Sequence, residues 1–244
     1  MSYALVMIAM TAVGHRYKQR VALRDVTADL SSGRVALLGP NGAGKSTLIR
    51  LLTTLSSVQV GTITIDGDNL SLAAGRESVR ARLGYVPQAM ELPRGYTCGE
   101  LMAYVSWMRG VSDVAKATER CLTAVGLADR RDDRISSLSG GMYQRLCVAQ
   151  ALVHEPSLLV VDEPSVGLDP QQRVHLRNTL SSLDCQLVLA THLVDDVAGL
   201  AEEVLVLDDG VVAFHGSIQE LCGGAEVSAA AVEEGYLRCV ADHE

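Results

Sequence analysis

The residues best placed to do chemistry begin at "GPNGAGKST", residues 39–47, which fits G-x-x-x-x-G-K-[ST] behind the apolar run "RVALL" and ahead of a leucine-striped segment. Strand, glycine loop and helix are the context in which this pattern holds phosphate. Backbone N–H groups of the loop wrap the phosphates and the helix N-terminus adds a favourable dipole. On this reading Gly39, Asn41, Gly42, Gly44, Lys45, Ser46 and Thr47 form a nucleotide cradle, with Lys45 on the β- and γ-phosphates and Ser46 on a Mg2+ ion. The run "LLVVDEP" (158–164) ends in two carboxylates. A buried parallel strand would deliver Asp162 to the metal side of the loop and leave Glu163 facing the terminal phosphate and an attacking water. Hydrolysis needs both, a metal to offset developing charge and a base to position the nucleophile.

A second glycine pair follows a serine in "LSGGM" (138–142). Ser139 can cap a helix whose N-terminus Gly140 and Gly141 keep free of side chains, with Met142, Leu146, Ala149 and Val153 on its buried face. Such an end accepts an anion, yet no lysine stands beside it.

Strand-like runs recur as "VMIAM", "RVALLG", "GTITIDG", "LGYVP", "LLVVD", "QLVLAT", "EVLVLDDG" and "VVAFHG". Their alternation with helical segments predicts an α/β sheet covered on its faces. Leu48, Leu51, Leu52 and Leu55, and again Leu101, Tyr104, Val105 and Met108, fall at helical spacing and predict core stripes. Strand signal is missing from Pro87 to Leu138, where "CGELMAYVSWMRG" and "DVAKATERCLTAVGL" read as successive helices, an insertion over about residues 89–138. The last twenty or so residues read as a helical or strand appendix. We expect one domain over 1–221 and a short extension over 222–244.

Although 48% of residues are hydrophobic, no run approaches the ~18–20 apolar residues that cross a bilayer. The opening "MSYALVMIAMTAV" lacks a basic start and reads as a first strand, not a secretory signal. A net charge of −8 without a dense basic cluster argues against nucleic acid as a partner. None of the six cysteines forms a C-x-x-C pair, and buried thiols in a reducing compartment are expected.

Taken in order, "GPNGAGKST", Gln88 in "GYVPQ", "LSGG", "LLVVDEP", "GLD" (167–169) and His192 in "LATH" resemble the ATP-binding cassette (ABC) ATPase family, over roughly residues 2–221. The resemblance implies a P-loop NTPase fold of the ABC type: a mixed sheet core, an antiparallel β portion and a helical subdomain. Tyr17, 28 residues before Lys45, matches the aromatic that stacks on adenine. It further implies that two cassettes meet head to tail, the serine-glycine signature of one closing on the γ-phosphate held by the other. That would explain a phosphate site without its own lysine. By the same carry-over Gln88 touches Mg2+ or the attacking water, His192 the γ-phosphate, and Asp169 the opposing subunit.

"SGGMYQRLCVAQALVHEP", "DEPSVGLDP" and "RLGYVPQ" resemble the ATP-binding subunits of ABC-2-type exporters of drugs, antibiotics and polysaccharides, where a methionine at position 142 is frequent. The implied partners are a second such subunit and an integral membrane permease that holds the pair at the cytoplasmic face of the cell membrane. The segment "AMELPRGYT" after Gln88 is expected to expose Met90, Leu92 and Tyr96 to a short permease helix, with packing inside the insertion as the alternative. A soluble ABC ATPase outside transport and a regulatory module that senses ATP without turnover are the competing functions. Glu163 and His192 argue against the latter.

Overall fold

The structure, a computed structural model, describes residues 5–241. The chain opens with a hairpin of β1 (Ile8–Tyr17) and β2 (Arg20–Leu30), then β3 (Arg34–Leu38) runs into α1 (Lys45–Leu52). Next come β4 (Val60–Ile65), β5 (Asp68–Asn69), α2 (Ala73–Ala81) and β6 (Leu83–Val86). Three helices follow: α3 (Cys98–Met108), α4 (Val114–Ala124) and α5 (Gly140–Ala151). The second half alternates β7 (Leu158–Asp162), α6 (Pro170–Ser181), β8 (Gln186–Ala190) and α7 (Val194–Leu200). It closes with β9 (Glu203–Asp208), β10 (Val211–Ser217), α8 (Ile218–Leu221) and α9 (Ala229–Ala241).

Two sheets form. One is antiparallel in the order β2-β1-β4-β5; the other runs β10-β9-β3-β8-β7-β6 and is parallel except for β10. Every residue of β3, β7 and β8 is buried. Parallel strands covered on both faces read as continuous apolar runs for this reason. Between the sheets sits α1, whose Leu48, Ile49, Leu51 and Leu52 are wholly buried. Each such side chain contributes about 1.5–3 kcal/mol through burial. Leu55, predicted on the same stripe, lies past the helix end and is exposed, because the helix stops at Leu52.

The helices α3, α4 and α5 pack on a second core with β7 and β8. A capping box of Thr97 and Glu100 starts α3. Its inner face is Cys98, Leu101, Met102 and Ser106, so the stripe predicted through Tyr104 and Met108 is turned: both are exposed, and Trp107, the only tryptophan, is 70% exposed. Leu92, expected on the surface, is buried against this helical core, while Met90 is half-buried and Tyr96 exposed. Packing within the insertion accounts for Leu92. At the far end Val232 of α9 is buried among residues of α7, α8 and β9. Five of the cysteines are buried free thiols, and burial pushes Cys147 up to about 12. No helix among the described residues is long and apolar enough to cross a membrane. The start of the opening run, residues 1–4, lies outside the described residues.

Candidate functional site

Four parallel strands end at one place. The glycine loop leaves β3, Gln88 follows β6, Asp162 ends β7 with Glu163 just after it, and His192 follows β8. Strand register puts Asp162 opposite Ala190 and Ala190 opposite Leu37, so these ends are level. Crevices at the carboxyl ends of such strands are where open α/β sheets bind ligands. Here the cleft has a volume of about 270 Å3 and is lined by Tyr17, Asn41, Gly42, Gly44, Lys45, Ser46, Thr47, Gln88, Asp162 and Glu163. The antiparallel sheet supplies Tyr17 from the end of β1.

Two glycines of the loop, Gly39 and Gly44, are dictated by close approach to backbone. A Cβ on Gly39 would stand 2.2 Å from the Leu207 carbonyl oxygen. At Gly44, with φ of 106°, it would stand 2.6 Å from that of Ala22. Any side chain would therefore push the loop off β2 and β9, and with it the N-terminus of α1.

Lys45, the first residue of α1, is buried, and its Nζ donates to the carbonyls of Gly39 at 2.5 Å and Pro40 at 3.1 Å. Burial lowers its pKa, against the raising influence of Glu163 and Asp162. Asp162 moves the opposite way: burial, then the charge of Glu163, pushes it up to about 6, with Lys45 countering. Such a carboxylate is stabilised by a cation. With the Ser46 hydroxyl and the Gln88 amide oxygen on the same cleft, the donors are all hard oxygens, a set that fits Mg2+.

Glu163 adopts a left-handed backbone, φ 48°, uncommon for a residue with a side chain and costing about 1–3 kcal/mol. The conformation turns it off the line of β7, and its carboxylate meets His192, whose Nδ1–H donates to both oxygens at 2.9 Å. The His192 ring is half exposed, while the Glu163 side chain is 10% exposed. A carboxylate held by an imidazole at the edge of a phosphate-sized cleft is equipped to receive a proton from water.

Tyr17 stands at the cleft rim, 43% exposed, with the His15 ring edge-on at 4.6 Å. Three lining residues were missed from sequence, Arg20, Ala22 and Pro40; the charged one is Arg20, whose Nη2 donates to the Gly42 carbonyl at 3.2 Å. Only recognition of the β1–β2 hairpin, with its short turn after Tyr17, could have brought Arg20 to the loop.

Ser139, Gly140, Gly141 and Asp169 lie outside this cleft and form a second group. Ser139 caps α5, accepting from Met142 N at 3.3 Å, and Asp169 caps α6, accepting from Gln172 N at 2.9 Å. The two helix starts are adjacent, since a Cβ on Gly141 would stand 2.9 Å from Gln172 Cγ. Ser139, Gly140 and Asp169 are exposed.

A phosphate loop, a buried carboxylate and a histidine-held glutamate on a parallel sheet define a P-loop nucleoside-triphosphatase. Comparison with known proteins narrows the class. The family described as ABC transporter matches residues 23–166. The chain is 35% identical over 212 residues to the Nod factor export ATP-binding protein I of Sinorhizobium fredii, covering 84% of this chain and 61% of that one. It is 33% identical over 226 residues to the methionine import ATP-binding protein MetN of Caulobacter vibrioides, covering 88% and 68%. A solved ATP-binding subunit of an ABC transporter superposes with a TM-score of 0.79 at 27% identity, covering 96% of this chain and 99% of that one. The chain belongs to the ABC transporter family and is an ATP-binding, ATP-hydrolysing subunit of that family.

Proposed function

We propose that the subunit works as one of a head-to-tail pair and drives export through a separate membrane permease at the cytoplasmic face of the cell membrane. The observation that carries the catalytic part is the Glu163–His192 contact beside the phosphate loop. ATP lies with adenine on Tyr17 and its phosphates against the loop N–H groups from Gly39 to Thr47 and against Lys45. Ser46, Gln88 and Asp162 hold Mg2+, which when bound offsets charge gathering on the phosphate oxygens. Glu163 takes a proton from water as the water oxygen attacks the γ-phosphorus. The bond to the bridging oxygen breaks and ADP leaves with its electron pair. His192 holds Glu163 in line through Nδ1 and presents its other ring nitrogen, Nε2, to the γ-phosphate.

Ser139, Gly140, Gly141 and Asp169 act on the opposing subunit. The exposure of Ser139, Gly140 and Asp169, and the position of all four outside the chain's own cleft, support this reading. For export, the support is the run of motifs around the signature and the relative named for Nod factor export. A methionine import relative is of similar identity, so direction is decided by transport into or out of vesicles that carry the permease. The chemistry is tested by Glu163→Gln. ATP binding should survive and turnover should fall by roughly 10²–10⁴, the range for a lost general base, leaving an ATP-held dimer in size-exclusion chromatography. Full-rate hydrolysis by the variant rejects the role.

A further inference from the structure

Beyond the cleft, the short segment that follows Gln88 is gripped from one side by the helix that begins with the signature. The Leu92 N–H donates to Tyr143 Oη at 2.6 Å, and the Tyr143 hydroxyl donates in turn to the Met90 carbonyl at 2.8 Å. One side chain thus satisfies the donor and the acceptor of a turn two residues past Gln88. Seven residues on, on the same face of α5, the Gln150 amide meets the Met90 sulfur. Leu146, wholly buried between them, sits in the same core as Leu92. Tyr143 lies four residues after Ser139, and its own N–H bonds the Ser139 carbonyl at 2.8 Å. The link from Gln88 to the signature is therefore one short stretch of backbone, one phenol and one helical turn.

We infer that Tyr143 is a positioning residue that couples the Gln88 segment to the signature helix, so that nucleotide in a subunit's own cleft sets the orientation of the signature offered to its partner. The inference rests on the proposed function, in which Gln88 serves the subunit's own site and Ser139 the opposing one. A hydroxyl bonded at both ends transmits displacement better than apolar contact, because hydrogen bonds weaken steeply with distance and angle. A phenyl ring in its place keeps the packing and releases the segment.

The test is Tyr143→Phe in the Glu163→Gln background, beside Ser139→Arg in the same background. Binding of a fluorescent ATP analogue by the monomer should stay within about twofold of the parent. The ATP concentration for half-maximal dimerisation, followed by light scattering, should rise at least tenfold, a split that simple loss of stability does not produce. Pairing at the parent's ATP concentration, or affinity and pairing that fall together, overturns the inference. If Tyr143→Phe does not fold, hydrogen exchange of the Leu92 amide in the unsubstituted chain decides. Protection that changes when nucleotide binds supports the link, and exchange at the free-peptide rate, or protection indifferent to nucleotide, overturns it. The Ser139→Arg arm separates the two readings. Should it pair like the parent, the opposing-site role of the signature is wrong. Should it fail to pair while Tyr143→Phe pairs normally, only the coupling is wrong.

Discussion

At Gly44 a side chain would run into the Ala22 carbonyl, 2.6 Å away, whereas at Gly140 the nearest heavy atom is 3.8 Å from where a Cβ would stand. Both positions open a helix beside a candidate phosphate site. The first glycine is required by this chain's own backbone, which is packed against it and holds a left-handed φ that other residues adopt at a cost. Nothing among the described residues requires the second. Gly141 falls between the two, since Gln172 crowds it from α6. A glycine without an internal reason directs attention to something arriving from outside. On the proposed function, the difference separates a site that one subunit completes by folding from a surface that one subunit only offers.

The contrast can be broken most severely at Gly44. Gly44→Ala should cost roughly 3 kcal/mol or more, the range for a strained backbone position that also clashes, read as a large drop in the urea midpoint. Stability like the parent's would mean that the loop relaxes freely and that its glycines, too, answer to the ligand. A smaller effect, partial recovery, comes from mixing chains. Ser139→Arg and Lys45→Ala homodimers each carry two spoiled sites, while their heterodimer carries one intact site if the signature acts on the partner. Vanadate-trapped nucleotide in isolated mixed dimers, held on the permease, should reach about half the wild-type level, given that charged hydrogen bonds are worth about 1.5–3 kcal/mol each. Trapping no higher than in either parent removes the distinction between the two regions. Smallest in stability is Gly140→Ala, expected within about 0.5 kcal/mol of the parent while ATP-dependent pairing is lost. Intact pairing would show that the open space before α5 has no external occupant.

Much of the cleft was legible because its chemistry fixes spacing. Lys45 must follow the glycines by one residue, and two carboxylates must end a buried strand, so Asp162, Glu163 and the loop could be found without coordinates. Their neighbours could not. The Glu163–His192 contact joins residues 29 apart through a β7–β8 pairing that no local pattern encodes. Arg20 enters only through the turn of a hairpin. β2 went unread because Arg24, Asp25, Thr27 and Asp29 break its apolar run, one face of the hairpin being open to solvent. Strand order was equally hidden, since β3 lies between β8 and β9, distant in sequence. In the insertion the apolar residues were recognised but not their sides: α3 carries large apolar groups all round, and only packing against α4 and α5 decides that Met102 points in and Met108 out.

The bareness of Trp107 has an optical consequence. With a single indole in the sequence, standing in water on α3 and absent from the residues that line the cleft, the protein carries one fluorophore that can be excited to the red of its seven tyrosines, mounted on the insertion. Its emission colour and its quenching by solutes such as iodide report the surroundings of that helix alone. ATP seated on Tyr17 stays dark to it unless the insertion itself moves, and a membrane partner that covers α3 announces itself as a blue shift without any label being attached.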